Sequence, residues 1–398
     1  MRDPTLCLTP GDGLGGAFES LAVPVHRAST VVFPTVAAYQ GRRDEIYDGF
    51  SYGLYGTPTS RELETRLARL EGAARTLALP SGFAAIAMTT LAAVRPGEEV
   101  LFPDTTYDTV RPFAERFLAG LGIGSRYYDP MIGAGLAEVL DERTRLVWVE
   151  SPGSMTMEVQ DVPAIAAAAH ACGAMVAADN TWATPLRFKA LAHGVDFSVC
   201  ALSKYVAGHS DVMMGSVSVN DVGLYRKLKD YSRFLGLGVS ADESSLVLRG
   251  LETLAIRMDR AEQSARRLVD WVVAQPGVAD VRFPQLATSP GHALWRRDFT
   301  GGAGLFSVFL EDWTRPALAE AVESLQLFAI GASWGGTRSL VAVLDRPPLR
   351  TVAPPAHTGP VVRFSIGLED PEDLLQDLAR AFARLAAPDQ GGGAQRRA

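Results

Sequence analysis

The fold is decided by the stretch Val195-Asp-Phe-Ser-Val-Cys-Ala-Leu-Ser-Lys204-Tyr-Val-Ala-Gly-His209, in which an apolar, strand-like run ends at a lysine. Shortly before it, Ala174-Met-Val-Ala-Ala-Asp179 is another apolar run, and it ends at an acid. Similar runs at 76–79, 99–102 and 145–149 alternate with helix-like segments. Such alternation predicts an α/β fold with a mostly parallel sheet covered by helices on both faces.

The chemistry-bearing residues fall where strands end. Lys204, Asp179 and the run Glu150-Ser-Pro-Gly-Ser154 all lie at carboxyl ends, which is where ligands bind in sheets of this kind. A lysine amine can form an imine with an aldehyde, and a carboxylate can keep a pyridine nitrogen protonated. The pair Lys204 and Asp179 therefore predicts a site for pyridoxal 5'-phosphate (PLP).

Composition and charge argue against several other classes of function. Hydrophobic residues make up 47% of the 398 and charged residues 21%, as in soluble globular proteins, and the net charge of −7 disfavours a nucleic-acid partner. No apolar run reaches the roughly 18 residues of a membrane span, and no signal-peptide pattern is seen. Three scattered cysteines suit a reducing cytoplasm, and the histidines show no metal-ligand spacing, so no metal is predicted.

The chain length favours two domains. We expect residues 1–55, which lack periodic pattern, to form an arm that contacts a neighbouring subunit. Residues 56–250 then form the cofactor-binding domain and 251–388 a C-terminal domain. That second domain closes with a helix in which Asp370 is the N-cap and Pro371 the first residue. The Gly-rich tail 389–398 is expected to be disordered.

Two further motifs could hold a phosphate. Ser81-Gly82-Phe83 precedes a helix, whose free N–H groups and dipole suit an anion, although a simple N-cap is the competing interpretation. Ser203 could add a hydroxyl beside Lys204. In contrast, Gly11-Asp-Gly13-Leu-Gly-Gly16 fits GxGxxG, but no strand precedes it, so we do not predict a dinucleotide site there.

Arg363 and a tryptophan cluster complete the candidates. Arg363 lies within an apolar strand, where its guanidinium needs an anion, either from a structural ion pair or from a substrate carboxylate. The cluster Ser333-Trp334-Gly335-Gly336 predicts either a buried, packed tryptophan or an aromatic wall over a ligand.

Together these motifs resemble the Cys/Met-metabolism family of PLP-dependent enzymes, from about Thr30 to Leu385. The most specific pieces are Glu150-Ser-Pro-Gly-Ser-Met-Thr-Met-Glu-Val-Gln-Asp161, Asp179-Asn-Thr-Trp182, Ser203-Lys-Tyr-Val-Ala-Gly-His-Ser-Asp211, Ser333-Trp-Gly-Gly336 and Arg363 with Gly367-Leu-Glu-Asp370. The tryptophan in Ser333-Trp334-Gly335-Gly336 resembles the pattern of the β-eliminating branch of that family.

The resemblance implies a fold and an activity. The fold is the PLP-dependent transferase fold of the aspartate aminotransferase type I, with a mostly parallel seven-stranded sheet and a smaller α+β C-terminal domain. The assembly is a homo-oligomer, a tetramer built as a dimer of dimers that share active sites. The activity is β-elimination on cystathionine or a related S-substituted cysteine, which yields a thiol, pyruvate and ammonia.

The resemblance also implies residue roles. Lys204 bonds to the cofactor aldehyde and later moves protons, while Asp179 pairs with the ring nitrogen and Tyr107 stacks on the ring. The phosphate is held by Gly82, Phe83 and Ser203, and by Tyr52 from the partner subunit. The substrate carboxylate is bound by Arg363 and Ser333, with Ser154 and Trp334 nearby.

Several positions depart from the family pattern. Leu54 stands where an arginine is expected near the neighbouring cofactor, and either Arg61 replaces it or Tyr52 and backbone donors suffice. At the distal end of the substrate site we expect Arg111 and Arg233, which would favour a distal carboxylate over an ammonium group. Ala332 replaces a tyrosine there.

Two alternatives remain open from the sequence. One is a sister reaction on the same scaffold, namely γ-elimination, γ-replacement or sulfhydrylation. The other is a non-catalytic relative, against which the presence of both Lys204 and Asp179 argues.

Overall fold

The computed structural model describes residues 1–9, 21–311 and 315–386, so the Gly11–Gly16 motif and the 389–398 tail lie outside the described residues. In the described part, the strands form two sheets. They are β1 Arg75–Leu79, β2 Glu99–Pro103, β3 Gly124–Tyr128, β4 Thr144–Glu150, β5 Met175–Asp179, β6 Phe197–Cys200, β7 Gly215–Val219, β8 Val278–Arg282, β9 Leu305–Leu310, β10 Ala329–Ile330, β11 Leu340–Leu344 and β12 Val361–Ser365.

Helices connect and cover these strands. They are α1 Asp3–Leu8, α2 Val36–Gly41, α3 Pro58–Glu71, α4 Gly82–Ala93, α5 Val110–Pro112, α6 Val162–Ala171, α7 Thr184–Arg187, α8 Val222–Phe234, α9 Ala241–Glu252, α10 Leu254–Val272, α11 His292–Asp298, α12 Arg315–Glu323 and α13 Pro371–Ala386. A π-helical stretch, Phe113–Leu118, continues α5, and 3₁₀ turns lie at Gly53–Tyr55, Gly133–Glu138 and Ala190–His193. Among the described helices, none is long and apolar enough to cross a membrane.

The larger sheet confirms the predicted α/β architecture. Its seven strands have the order β1-β7-β6-β5-β4-β2-β3, and β7 alone runs opposite to its neighbours. Alternate residues of β4 enter opposite cores, since Val147 and Val149 pack on one face while Leu146 and Trp148 pack on the other. Both faces are therefore buried, which explains why the strands were visible in the sequence as continuous apolar runs.

Strand register brings the predicted acids together. In the parallel pair of β4 and β5, Glu150 lies opposite Asp179, and Asp179 lies opposite Val199 of β6. The chain leaves β6 at Cys200 and reaches Lys204 within one turn, where the Lys204 amide donates to the carbonyl of Ala201. Three adjacent strand ends therefore carry the two acids and the lysine.

The second sheet has five strands in the order β10-β11-β12-β9-β8 and is mostly antiparallel. Arg363 lies in its central strand, β12. The closing helix α13 confirms the predicted start, since the Asp370 side chain accepts from the amide of Glu372 at 2.8 Å. Leu374 and Leu378 of α13 are fully buried against this sheet.

The first residues of the predicted arm form a helix rather than an extended segment. Asp3–Leu8 forms a short helix that packs on its own chain, because Cys7 is buried in the core beneath α3 and α10 and Asp3 pairs with Lys189 at 2.9 Å. Residues 21–56, in contrast, are largely exposed.

A buried carboxylate joins the two sheet domains. Asp104, just after β2, accepts hydrogen bonds from the amides of Thr351, Val352 and Ala353 in the segment between β11 and β12. Arg111 donates to the same carboxylate. Burial alone would raise the pKa of Asp104, but the amides of Val352 and Thr351 outweigh it and hold that pKa below its ordinary value.

Asp104→Asn is expected to lower the free energy of unfolding by about 2–3 kcal/mol, because charge-assisted hydrogen bonds become neutral ones. Since the folded-state pKa is lowered, this stabilisation is present above the unfolded-state pKa of about 4 and is lost as the pH falls through the folded value. The effect is measured by denaturant unfolding at neutral pH and again at a pH below the folded-state pKa of Asp104. Hydrogen exchange at residues 351–353 is followed in the same samples.

Asp141→Asn is the matched control, since Asp141 also accepts from backbone amides but lies far in the chain from the 351–353 segment and bonds to its own loop. It should leave exchange at 351–353 unchanged. Equal unfolding free energies for Asp104→Asn and wild type at neutral pH would contradict the domain-joining role.

Candidate active site

A cavity of about 270 Å³ opens beyond the carboxyl ends of the parallel strands, between the two sheets. Most of the residues predicted for the site line it together. They are Gly82, Phe83, Tyr107, Ser154, Asp179, Ser203, Lys204, Trp334 and Arg363. Ser333 joins them through a hydrogen bond with Lys204.

The Lys204 amine is held between the two domains. Its Nζ donates to Ser333 Oγ at 2.9 Å and lies 5.8 Å from the centre of the Trp334 ring. Burial lowers the pKa of Lys204, as does the positive charge of Arg363, while Asp179 opposes them. The amine is therefore neutral at a lower pH than an ordinary lysine, as a nucleophile and proton acceptor must be.

Asp179 is suited to a cationic partner. Its Oδ1 accepts from the Thr181 amide at 3.0 Å, and burial raises its pKa. A protonated ring nitrogen placed against this carboxylate would offset the cost of its burial and keep it ionised. The donor set thus fits the pyridine end of PLP.

The start of α4 is suited to a phosphate. Ser81 Oγ accepts from the Ala84 amide at 3.0 Å, so the predicted N-cap is present, and it leaves the amides of Gly82 and Phe83 without helical acceptors at the cavity wall. Gly82 is needed here, since a Cβ would lie 2.5 Å from the Cβ of Ala201. The N-cap interpretation is confirmed, and the free amides at the cavity wall are compatible with the predicted phosphate site.

Arg363 faces the cavity from the second domain. Its Nη2 donates to the carbonyl of Ala332 at 2.6 Å, and no carboxylate of the described residues forms an ion pair with it. Burial lowers its pKa, and Asp108 and Tyr107 oppose the shift. A structural ion pair is thus not what holds this guanidinium, and a carboxylate ligand would satisfy it.

The sequence predicts no particular role for Glu150, yet this residue lines the cavity. Its Oε2 accepts from the Tyr107 amide at 2.7 Å, so it fixes the loop that carries Tyr107. Burial raises its pKa well above the ordinary range, and the charge of Asp179 adds to the shift. The strand-end rule that marks Asp179 also marks Glu150, but the sequence shows no contact with Tyr107.

Within this subunit, Arg111 and Arg233 do not line the cavity, in contrast to the arrangement predicted for its distal end. Arg111 donates to Asp104 and lies 3.9 Å over the ring of Tyr127. Arg233 pairs with Asp230 at 3.5 Å on α8. The physical reason is that each guanidinium finds a carboxylate on its own chain, and apolar residues line the cavity instead: Met155, Met157, Met213, Leu305 and Ala332.

Tyr52 and Arg61 lie outside the cavity of their own chain. Tyr52 is exposed and packs edge-on against Tyr55, with ring centres 5.6 Å apart. Arg61 donates to Glu64 at 3.0 Å and to the Tyr225 hydroxyl at 2.9 Å. These contacts hold Arg61 within its own subunit and argue against the hypothesis that it supplies the cation missing at Leu54.

The fold and this cavity, which is lined by a lysine, a carboxylate and the start of a helix, are those of a PLP-dependent enzyme. The chain belongs to the family described as Cys/Met metabolism PLP-dependent enzyme, whose model matches residues 4–383.

Curated relatives and solved structures agree with this assignment. The chain is 42% identical to a putative cystathionine beta-lyase of Rhizobium johnstonii over 92% of this chain and 91% of that protein. It is 38% identical to a cystathionine beta-lyase of Escherichia coli, covering 93% and 94% of the two chains. The crystal structure of cystathionine gamma synthase from Xanthomonas oryzae pv. oryzae, in complex with aminoacrylate and cysteine, matches with a TM-score of 0.88 and 28% identity over 97% of this chain and 98% of that one.

Glu150 holds the Tyr107 amide through Oε2, and burial raises its pKa and so favours its neutral form. Glu150→Gln keeps an acceptor for the Tyr107 amide without a charge, so its kcat/KM should stay within about threefold of wild type. Glu150→Ala removes the acceptor and should lower kcat/KM by about tenfold or more. Steady-state rates measured as a function of pH test both variants.

Ionisation of Glu150 would place a second negative charge beside Asp179, so as the pH rises the wild type should lose activity before Glu150→Gln does. A loss in Glu150→Gln at neutral pH as large as that in Glu150→Ala would contradict this account, because it would mean that the ionised form is required.

Proposed function

We propose that this protein is a PLP-dependent carbon–sulfur lyase that catalyses β-elimination on cystathionine or a related S-substituted cysteine. The observation that carries the proposal is that Lys204, Trp334 and Arg363 meet in one cavity, with the Lys204 amine next to the tryptophan ring. The names of relatives that are 38–42% identical over nearly all of the chain support the same reaction.

PLP, when bound, supplies an electron-withdrawing ring that spreads the charge left on a substrate carbon after its proton departs. Asp179 would hold a protonated ring nitrogen, and Tyr107 would lie against the ring. The phosphate is held by the amides of Gly82 and Phe83 and by the hydroxyl of Ser203. These groups lie at strand ends and at a helix start, so the fold itself fixes where the cofactor would be held.

The substrate is oriented by its carboxylate. Arg363 binds this group, with help from Ser333 and Ser154, so that the Cα–H bond points to Lys204. The neutral amine of Lys204 removes the Cα proton, and the β-carbon then releases sulfur as a thiol. With water as co-reactant, the three-carbon fragment becomes pyruvate and ammonia, which balances the reaction.

The group beyond sulfur meets an apolar wall in this subunit. Three methionines and Ala332 line the cavity, whereas Arg111 and Arg233 do not. Methionine side chains adapt to irregular apolar shapes. This lining supports S-substituted cysteines with an apolar sulfur substituent as substrates alongside cystathionine.

The assembly and location are part of the proposal. A homotetramer, built as a dimer of dimers, would cover the largely exposed residues 21–56 and bring Tyr52 to the cofactor phosphate of the partner. The described cysteines are all free, which suits a reducing cytoplasm. Cleavage of cystathionine to homocysteine would place the enzyme in methionine biosynthesis.

Purified protein with added PLP should convert cystathionine to equal amounts of pyruvate and free thiol. Keto acid identification by chromatography and thiol titration measure the two products, and Lys204→Ala is the control that should form neither. Formation of 2-oxobutanoate would indicate γ-elimination and contradict the proposal, as would the absence of any keto acid with cystathionine and with S-alkyl cysteines.

A further inference from the structure

A buried arginine lies directly behind the loop that carries Lys204. Arg257, on α10, donates through Nη1 to the carbonyl of Tyr205 at 2.7 Å and through Nη2 to the carbonyl of Val206 at 3.2 Å. The same guanidinium donates to the carbonyl of Gly250 at 2.7 Å, and its Nε donates to Thr253 Oγ1 at 2.9 Å. It therefore ties the two residues after Lys204 to the end of α9.

Two glycines allow the close packing around this guanidinium. Gly208 has a φ of +73°, and a Cβ there would collide with the guanidinium of Arg257. At Gly250 a Cβ would collide with the carbonyl of Ala207, so only a glycine lets α9 approach the loop this closely. We call Gly208, Gly250 and the carbonyls of Tyr205 and Val206 the arginine socket.

The socket holds a cation without a carboxylate. Arg257 is 7% exposed, and none of the described residues forms an ion pair with it. Burial lowers its pKa to about 10, and Cys7 and Tyr205 only partly oppose that shift. Since a buried, unpaired cation is costly, its hydrogen bonds to carbonyls must offset the loss of water.

The backbone of Lys204 is confined from both sides. On one side, its carbonyl accepts from the Gly208 amide at 2.8 Å, and Gly208 lies against Arg257. On the other side, Gly335 of the tryptophan cluster packs so closely that a Cβ there would lie 2.7 Å from the amide nitrogen of Tyr205. Rotation of the Lys204 backbone would break contacts on one side or the other.

We infer that Arg257 is a positioning residue for the reaction, which fixes the Lys204 loop through the carbonyls of Tyr205 and Val206 and so aims the lysine amine at the substrate Cα and the cofactor. The inference rests on the proposed function, in which Lys204 is the reactive amine. Arg257 itself touches neither substrate nor cofactor and acts through the loop.

The test compares Arg257→Met, Arg257→Lys and Arg66→Met with the wild-type holoenzyme. Arg66 is a matched control, because its side chain is also buried, with 1% exposed, but it pairs with Glu62 and Glu252 and does not touch the Lys204 loop. Steady-state kinetics, urea unfolding and the visible circular dichroism of bound PLP are measured for each protein.

Arg257→Met is expected to lower kcat by about tenfold or more while KM changes by less than about threefold, because the amine is misplaced but carboxylate binding by Arg363 is kept. The visible dichroism per bound PLP should fall, since a mobile lysine no longer fixes the ring. Arg257→Lys keeps a cationic donor and should recover part of the wild-type kcat and part of the wild-type dichroism. Arg66→Met should lower only the unfolding midpoint.

The inference is overturned if Arg257→Met keeps the kcat and dichroism of wild type, or if Arg66→Met loses both to the same extent. If Arg257→Met does not fold, Arg257→Lys decides by the same two measurements, and unchanged values overturn the inference. Failure of the proposed function is distinct, because then the wild type itself releases no pyruvate from cystathionine.

Discussion

The burial of charged side chains at one edge of a parallel sheet is the constraint on which the site depends. Lys204, Asp179 and Glu150 at that edge are half-buried, and Arg363 of the second sheet is buried; burial shifts the pKa of each toward the neutral form. Charged groups in such surroundings need partners of opposite charge. A ligand with a cationic ring nitrogen and a substrate carboxylate supplies partners for Asp179 and Arg363, so binding and activation have the same physical origin.

The backbone creates this arrangement before any ligand does. Parallel register sets Glu150 beside Asp179, and the turn after β6 presents Lys204 across from them. The second sheet contributes Arg363 from its central strand, so the cavity exists only while the two domains hold their positions. Contacts such as Asp104 with the 351–353 segment, and Arg257 with the Lys204 loop, keep those positions without touching the chemistry.

The sequence was sufficient for the strands, since burial on both faces of a parallel sheet leaves continuous apolar runs, and for Lys204 and Asp179, since strand ends are ligand sites. The sequence was insufficient where the position of a side chain depends on which distant residue it pairs with. Arg111 binds Asp104, but a sequence does not show which carboxylate an arginine meets. The helix at Asp3–Leu8 is short and lacks periodicity, and it is stabilised by burial of Cys7 against distant helices and by the ion pair of Asp3 with Lys189. The oxygen of Glu150 that holds the Tyr107 amide is likewise visible only in three dimensions.

The central claim is that Lys204 carries the cofactor, and the composition of the chain makes it easy to test. The sequence holds four lysines, Lys189, Lys204, Lys227 and Lys229, and burial lowers the pKa of Lys229 to about 8, so the Lys229 amine could compete for the aldehyde. Reduction of the PLP-loaded protein with borohydride, followed by peptide mass mapping, locates the covalent label. We expect one label per chain, on Lys204. A label on Lys229, or an unlabelled Lys204 in protein that has bound PLP, would contradict it.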